Sequence, residues 1–163
     1  MRKTNKGFTL VELIVVIAII GVLAAILVPS LMGYVSDSKV SSANANAKQV
    51  YTAAATCCTQ LDVKGQGGKS GRCKSFSGQN YTTGMPSSDD IKDKLGSGSD
   101  LEFYVTYTDG YPEVVFASKT VDDLYVGSYP AEATAKCSKG LGQIDDNVTY
   151  NKSQKANDAS VLG

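Results

Sequence analysis

The chain has 163 residues, enough for one domain with appendages, and carries 16 basic and 16 acidic residues and no histidine. A formal net charge of zero gives no basic footprint for nucleic acid. The lack of histidine removes Ser–His and Cys–His nucleophilic pairs and His-ligated metal sites, so the composition favours a structural or binding protein over an enzyme.

The balance of charge hides an asymmetry at the front. Arg2, Lys3 and Lys6 crowd the first six residues with no acid among them, and from Leu13 to Val28 every residue is apolar. Basic residues before an apolar run place the N-terminus on the inner side of a membrane. The 24 uncharged residues from Leu13 to Ser36 make about 36 Å of helix, enough to span a bilayer core of about 30 Å. One carboxylate, Glu12, stands at the head of that run. Unpaired Asp, Lys or Arg at mid-membrane costs roughly 2.5–3.5 kcal/mol, so Glu12 calls for a partner. Three readings compete. A secretory signal peptide would be cut behind the run, but the A-x-A-like site, Ala43-Asn44-Ala45, lies far downstream. A plain anchor would leave Glu12 snorkelling to the interface. In the third reading the cut falls before the run, and the apolar helix stays with the mature chain.

Lys6-Gly7-Phe8-Thr9-Leu10-Val11-Glu12, then the apolar run with Pro29 inside it, resembles the leader and start of type IV pilins and their relatives, the type II secretion pseudopilins and competence pilins. The likeness runs from Lys6 to about Tyr34. It implies that residues 1–7 are a leader removed by a prepilin peptidase between Gly7 and Phe8, and that Phe8 is then N-methylated. It implies that residues 8–36 form a transmembrane and polymerisation helix, that Glu12 registers subunits, and that Pro29 bends the helix. Gly21 adds a second weak point in that helix on its own conformational grounds. The function implied is a structural subunit of a type IV pilus, a surface filament for adhesion, motility or biofilm. The implied partners are further copies of itself, other pilins, the peptidase, an inner-membrane assembly platform and, before assembly, lipid. The implied location is the cytoplasmic membrane first and the extracellular pilus afterwards; no cofactor is implied. A secretion pseudopilin or a competence or minor pilin is the alternative. Major pseudopilins usually carry a calcium-binding loop near the C-terminus, and here only Asp145-Asp146 stands there.

Residues 37–163 read as a globular head. Val40, Ala43, Ala47, Val50, Ala54, Cys57 and Leu61 recur at alternating spacings of 3 and 4, which predicts one apolar stripe of a helix over 37–61. Ser41, Asn44, Lys48 and Thr52 make its polar face. The stripe is mostly small residues, which suits close packing on a sheet. Residues 62–100 read as a loop region with one short helix. Gly68-Lys69-Ser70 resembles the end of a phosphate-binding loop, but Val63 stands where that motif needs glycine. Lys64, Lys69, Arg72 and Lys74 put four basic charges in eleven residues, a solvated loop or a contact for an anionic polymer such as DNA or wall polymer. Between Pro86 and Gly96, Ser87 or Ser88 caps a short helix, Asp89 and Asp90 suit its positive end and Lys94 its negative end.

Residues 101–130 change period. Two β-rich runs around Asp109-Gly110 predict a hairpin, and Leu124–Tyr129 a third strand. The expected class is α+β: one long helix packed on a small antiparallel sheet, the architecture that the resemblance also implies. Residues 131–163 form a polar C-terminal loop region without a readable period. Four cysteines remain, Cys57, Cys58, Cys73 and Cys137, and they allow three pairings. Adjacent residues in a helix pair poorly. That leaves two pairings, of which Cys58–Cys73 with Cys57–Cys137 is preferred as tying the glycine loop and the tail to the helix; free thiols are the alternative.

Overall fold

The computed structural model describes residues 7–76, 84–96, 98–145, 150–158 and 160–162. The chain divides into two compact units, Met1–Val35 and Ser36–Gly163, and one helix, α1 (Leu10–Val63), has residues in both.

In the first unit α1 is apolar all round and runs through Pro29 without a break. Proline removes one backbone donor and leaves the carbonyl of Ala25 without its helical partner, yet the flanking turns hold their conformation. In the second unit the helix turns amphipathic. Val40, Ala43, Ala47, Val50, Ala54 and Cys57 are buried as the stripe predicts, Leu61 is half-buried, and Ala53 and Cys58 join them. The expected polar face needs one correction, because Asn44 is buried.

The sheet is antiparallel throughout, in the order β1 (Gly71–Lys74), β2 (Glu102–Thr108), β3 (Tyr111–Ser118) and β4 (Gly127–Tyr129). The β2–β3 hairpin turns at Asp109-Gly110, whose φ angles of 52° and 84° supply the left-handed pair that a tight hairpin demands. Strand β1 falls within the expected loop region. It is short, and it exists because it pairs with β2, Cys73 opposite Val105. Strand β4 is shorter than expected: Asp123 Oδ1 accepts from the Tyr125 N–H at 2.9 Å, and that turn occupies the start of the predicted strand. The short helix α2 (Ser88–Leu95) is capped by Ser87 rather than Ser88 and stopped at Gly96.

The sheet buries both faces. One carries Cys73, Phe103, Val105, Tyr107, Val115 and Ala117 against the stripe of α1 and Ile91 of α2. The other carries Tyr104, Val114 and Phe116 under residues of the C-terminal segment, among them Leu141, Ile144, Tyr150 and Leu162. The Tyr150 ring stands edge-on to Tyr104 and Phe116, at 5.8 and 5.4 Å between centroids. The segment that shows no period in sequence thus builds the second core, with one short 3-10 turn at Leu141–Gln143.

Asn44 joins these layers. Its Oδ1 accepts from Ser128 N–H at 3.1 Å and from Ala133 N–H at 3.0 Å, and its Nδ2 donates to the Ala133 carbonyl at 2.9 Å. Beside it, Gly127 lies so close to the α1 backbone at Ala43 and Asn44 that a Cβ there would overlap main-chain atoms. The small stripe residues are what let β4 approach the helix this closely.

Candidate functional site

The candidate functional surface is the N-terminal unit. Residues 7–35 are all exposed in the single chain, with Phe8 at 79% and Ile26 at 69%. This part of α1 is long and apolar enough to cross a membrane, and none of its most apolar window is buried. Such a surface is stable only when lipid or other apolar helices cover it.

Gly7, Phe8 and Thr9 are non-helical and α1 begins at Leu10. Thr9 is the N-cap. Its N–H donates to Glu12 Oε2 at 2.9 Å and its hydroxyl donates to the same oxygen at 2.6 Å. The Glu12 N–H returns a bond to Thr9 Oγ1 at 3.3 Å. This is a capping box, with two orphan donors of the first turn satisfied reciprocally. Glu12 is therefore not a lone carboxylate within its own chain. The partner is Thr9, and the pattern Thr-x-x-Glu that signals it can be read in the sequence. Gly21 faces open space, so nothing in the single chain requires glycine there.

The cysteines do not pair. All four are buried and free. Cys57, Cys58 and Cys73 lie in the core under α1, and Cys137 lies in the opposite core. The expected Cys58–Cys73 and Cys57–Cys137 bonds are thus not formed, and for the second the sheet stands between the two positions. The Cys57 thiol instead donates to the Asp90 carbonyl at 3.4 Å. Burial pushes the thiols of Cys58 and Cys73 up to about 12 and that of Cys137 up to about 11. The Tyr107 hydroxyl, buried in the same core, has no hydrogen-bond partner among the described residues.

The four basic residues are spread over three segments. Lys64 follows the end of α1 and lies near the Asp90 carboxylate, and Lys69 is exposed in the glycine loop. Arg72 and Lys74 are on β1, and the Lys74 ammonium sits 5.6 Å from the centroids of both Phe76 and Tyr104. Asp145 is described, whereas Asp146 lies outside the described residues.

Residues 2–28 match the family described as the prokaryotic N-terminal methylation motif. The chain is 46% identical over 67 residues to the type IV major fimbrial protein FimA of Dichelobacter nodosus, covering 41% of this chain and 42% of FimA. It is 47% identical over 58 residues to the type IV major pilin protein PilA of Myxococcus xanthus, covering 36% of this chain and 26% of PilA. Both matches span less than half of the relative. A third runs almost end to end: 32% identity over 159 residues to a fimbrial protein of Moraxella nonliquefaciens, covering 94% of each chain. The chain belongs to the type IV pilin family. The α+β head of this pilin packs its sheet on the small-residue stripe of α1. No solved structure matches this pilin.

Proposed function

We propose that this pilin is a structural subunit of a type IV pilus, cut between Gly7 and Phe8 by a prepilin peptidase and polymerised through residues 8–36. The observation that carries the reading is the fully exposed apolar half of α1, led by a single carboxylate at Glu12. Before assembly, lipid covers that surface; afterwards, the helices of neighbouring copies do. Apolar burial favours neither state strongly, because lipid tails are as apolar as leucine, so close packing and polar pairing decide between them.

Cleavage makes the polar partner. Cutting after Gly7 creates an α-amine on Phe8, cationic at neutral pH whether primary or monomethylated, with a reference pKa near 7.7–8.0. In a filament core Glu12 of one copy faces the Phe8 amine of the next. Desolvation offsets much of the attraction, but leaving either charge alone costs several kcal/mol, so the pair works as a register device. The bond that Thr9 gives Glu12 softens the cost on the carboxylate side and leaves the amine side in full. Around Pro29, copies in the filament can shelter the unpaired Ala25 carbonyl and allow an extended stretch from about Gly21. An inner-membrane assembly platform would move the subunit from membrane to filament.

The test is Glu12→Val expressed as the sole copy. Mass spectrometry is expected to find the chain inserted and beginning at Phe8, and sheared cells are expected to yield no filaments. Filaments in normal amount would show that Glu12 has no part in assembly.

A further inference from the structure

A cavity of about 320 Å³ lies wholly within the second unit, between α1 on one side and the segment that follows β3 on the other. Two lysines line it. The Lys39 ammonium stands 4.9 Å from the centroid of the Tyr125 ring, and Lys119 is exposed just past the end of β3. Among the described residues neither ammonium has an ion pair. The carboxylate in the wall, Asp123, is turned to the Tyr125 N–H, which its Oδ1 accepts at 2.9 Å. Ser42 and Asn46, about one turn apart on α1, add a hydroxyl and an amide. Two cations and one anion leave the wall with a single net positive charge. That suits a singly charged anion with several oxygens, of which a phosphodiester is the common case. The volume stands at the small end of the range for ligand cavities, enough for a headgroup and too little for a polymer chain.

We propose that this cavity binds the phosphodiester of an anionic lipid headgroup before assembly, with Lys39 and Lys119 on the phosphate oxygens and Ser42, Asn46 and Asp123 on the headgroup's hydroxyls. The inference rests on the proposed membrane stage of residues 8–36. Lys39 is the first cation after the uncharged run that ends at Ser36, less than one helical turn further along α1. A bilayer carries a headgroup layer about 5–7 Å deep on each side of its hydrocarbon. A helix whose apolar run fills the hydrocarbon therefore takes its next turn through the phosphates, where basic side chains are drawn to anionic lipid. Free phosphate offers the same charge without the hydroxyls or the tether. The lipid is favoured because the anchor holds the cavity at that layer, so a weak site is filled by effective concentration alone. Weak binding is also what assembly requires, since the headgroup has to be released when the subunit leaves the bilayer.

The experiment follows the backbone amides of the full chain by NMR in an uncharged detergent. The probes are dihexanoyl phosphatidylglycerol, dihexanoyl phosphatidylcholine and inorganic phosphate, each titrated alone. Phosphatidylglycerol is expected to shift the amides of residues 39–46 and 118–125 at a concentration at least about fivefold lower than the other two. Lys39→Gln and Lys119→Gln are each expected to weaken that binding about fivefold. Lys64→Gln, past the end of α1, is expected to leave it unchanged. All three lysines are exposed, so the variants should melt with the wild type and the comparison reads binding. Wild-type binding by both cavity variants, or no shift of these amides with phosphatidylglycerol, would overturn the site. Equal titration by phosphatidylcholine would overturn selection for an anionic headgroup. Saturation by inorganic phosphate at the same concentration would overturn the lipid as the source and leave a free-phosphate site. None of these results bears on the pilus reading, whose own test is the filament yield of Glu12→Val.

Discussion

Asn44→Ala is the substitution by which the head's construction can be judged. It removes three hydrogen bonds at once and strands three backbone groups: the N–H of Ser128 and the N–H and carbonyl of Ala133. Each stranded buried group costs about 1–3 kcal/mol. Water entering the vacated space recovers part of that, so we expect a loss of about 3–6 kcal/mol. Domains of this size are stable by only about 5–15 kcal/mol, so the variant sits at the edge of unfolding. The assay is denaturant unfolding of the detergent-solubilised chain, followed by the near-ultraviolet circular dichroism of its nine tyrosines. Gln49→Ala, at an exposed position of the same helix, is the control and is expected to stay within about 0.5 kcal/mol. A loss below about 1 kcal/mol for Asn44→Ala would refute the claim that this residue ties α1 to β4 and the segment after it.

Two further outcomes follow from the same packing. Gly127→Ala drives a Cβ into the α1 main chain at Ala43 and Asn44 and should cost about 3 kcal/mol or more; a thermal midpoint unchanged within error would show that strand and helix separate easily. The thiols of Cys58 and Cys73 are raised by burial to about 12 from an ordinary value of 9.0, so the folded state holds protons that the unfolded chain loses first. That contribution is complete below about pH 9 and fades toward pH 12, so unfolding midpoints should fall between pH 8 and pH 10.5, and alkylation at pH 8 should be far slower in the folded chain than in denaturant; equal rates would refute the burial.

Where the sequence is legible, local chemistry decides the structure. The stripe from Val40 to Cys57 keeps a helical period, so its burial can be read without knowing what covers it. Asp109-Gly110 fixes a tight hairpin by backbone preference alone, and Ser87, Asp90 and Gly96 mark both ends of α2. Thr9 and Glu12 are legible in the same way, as an N-cap and its third helical residue. Four features are not legible, for one reason. Strand β1 is four residues long and becomes a strand only by pairing with β2. Asn44 looks like its polar neighbours Ser41 and Lys48, and it is buried only because β4 and Ala133 come to lie on it from far along the chain. Leu141, Ile144, Tyr150 and Leu162 follow no period, because an irregular segment is shaped by the surface it covers. The thiols belong to this group too: which core a cysteine enters is decided by tertiary packing, not by spacing.

The two units of this pilin solve different problems. The head closes its own cores: apart from Tyr111, the large apolar side chains of β2 and β3 are buried within the chain, so head substitutions act mainly through stability. The first unit closes nothing, and residues 7–35 remain exposed. For that surface, lipid and neighbouring helices are nearly equivalent covers, and a purely apolar helix would have no reason to prefer one axial offset in a filament over another. Discrimination has to come from a group that lipid tails cannot satisfy. In the proposed pairing the Glu12 carboxylate meets that need, because a hydrocarbon core supplies no cation, whereas a neighbour cut after Gly7 would. Changes at Glu12 should then alter filament yield while the head melts as before. Changes at Asn44 or Gly127 should lower the melt and reduce filaments only in proportion to the folded head that survives.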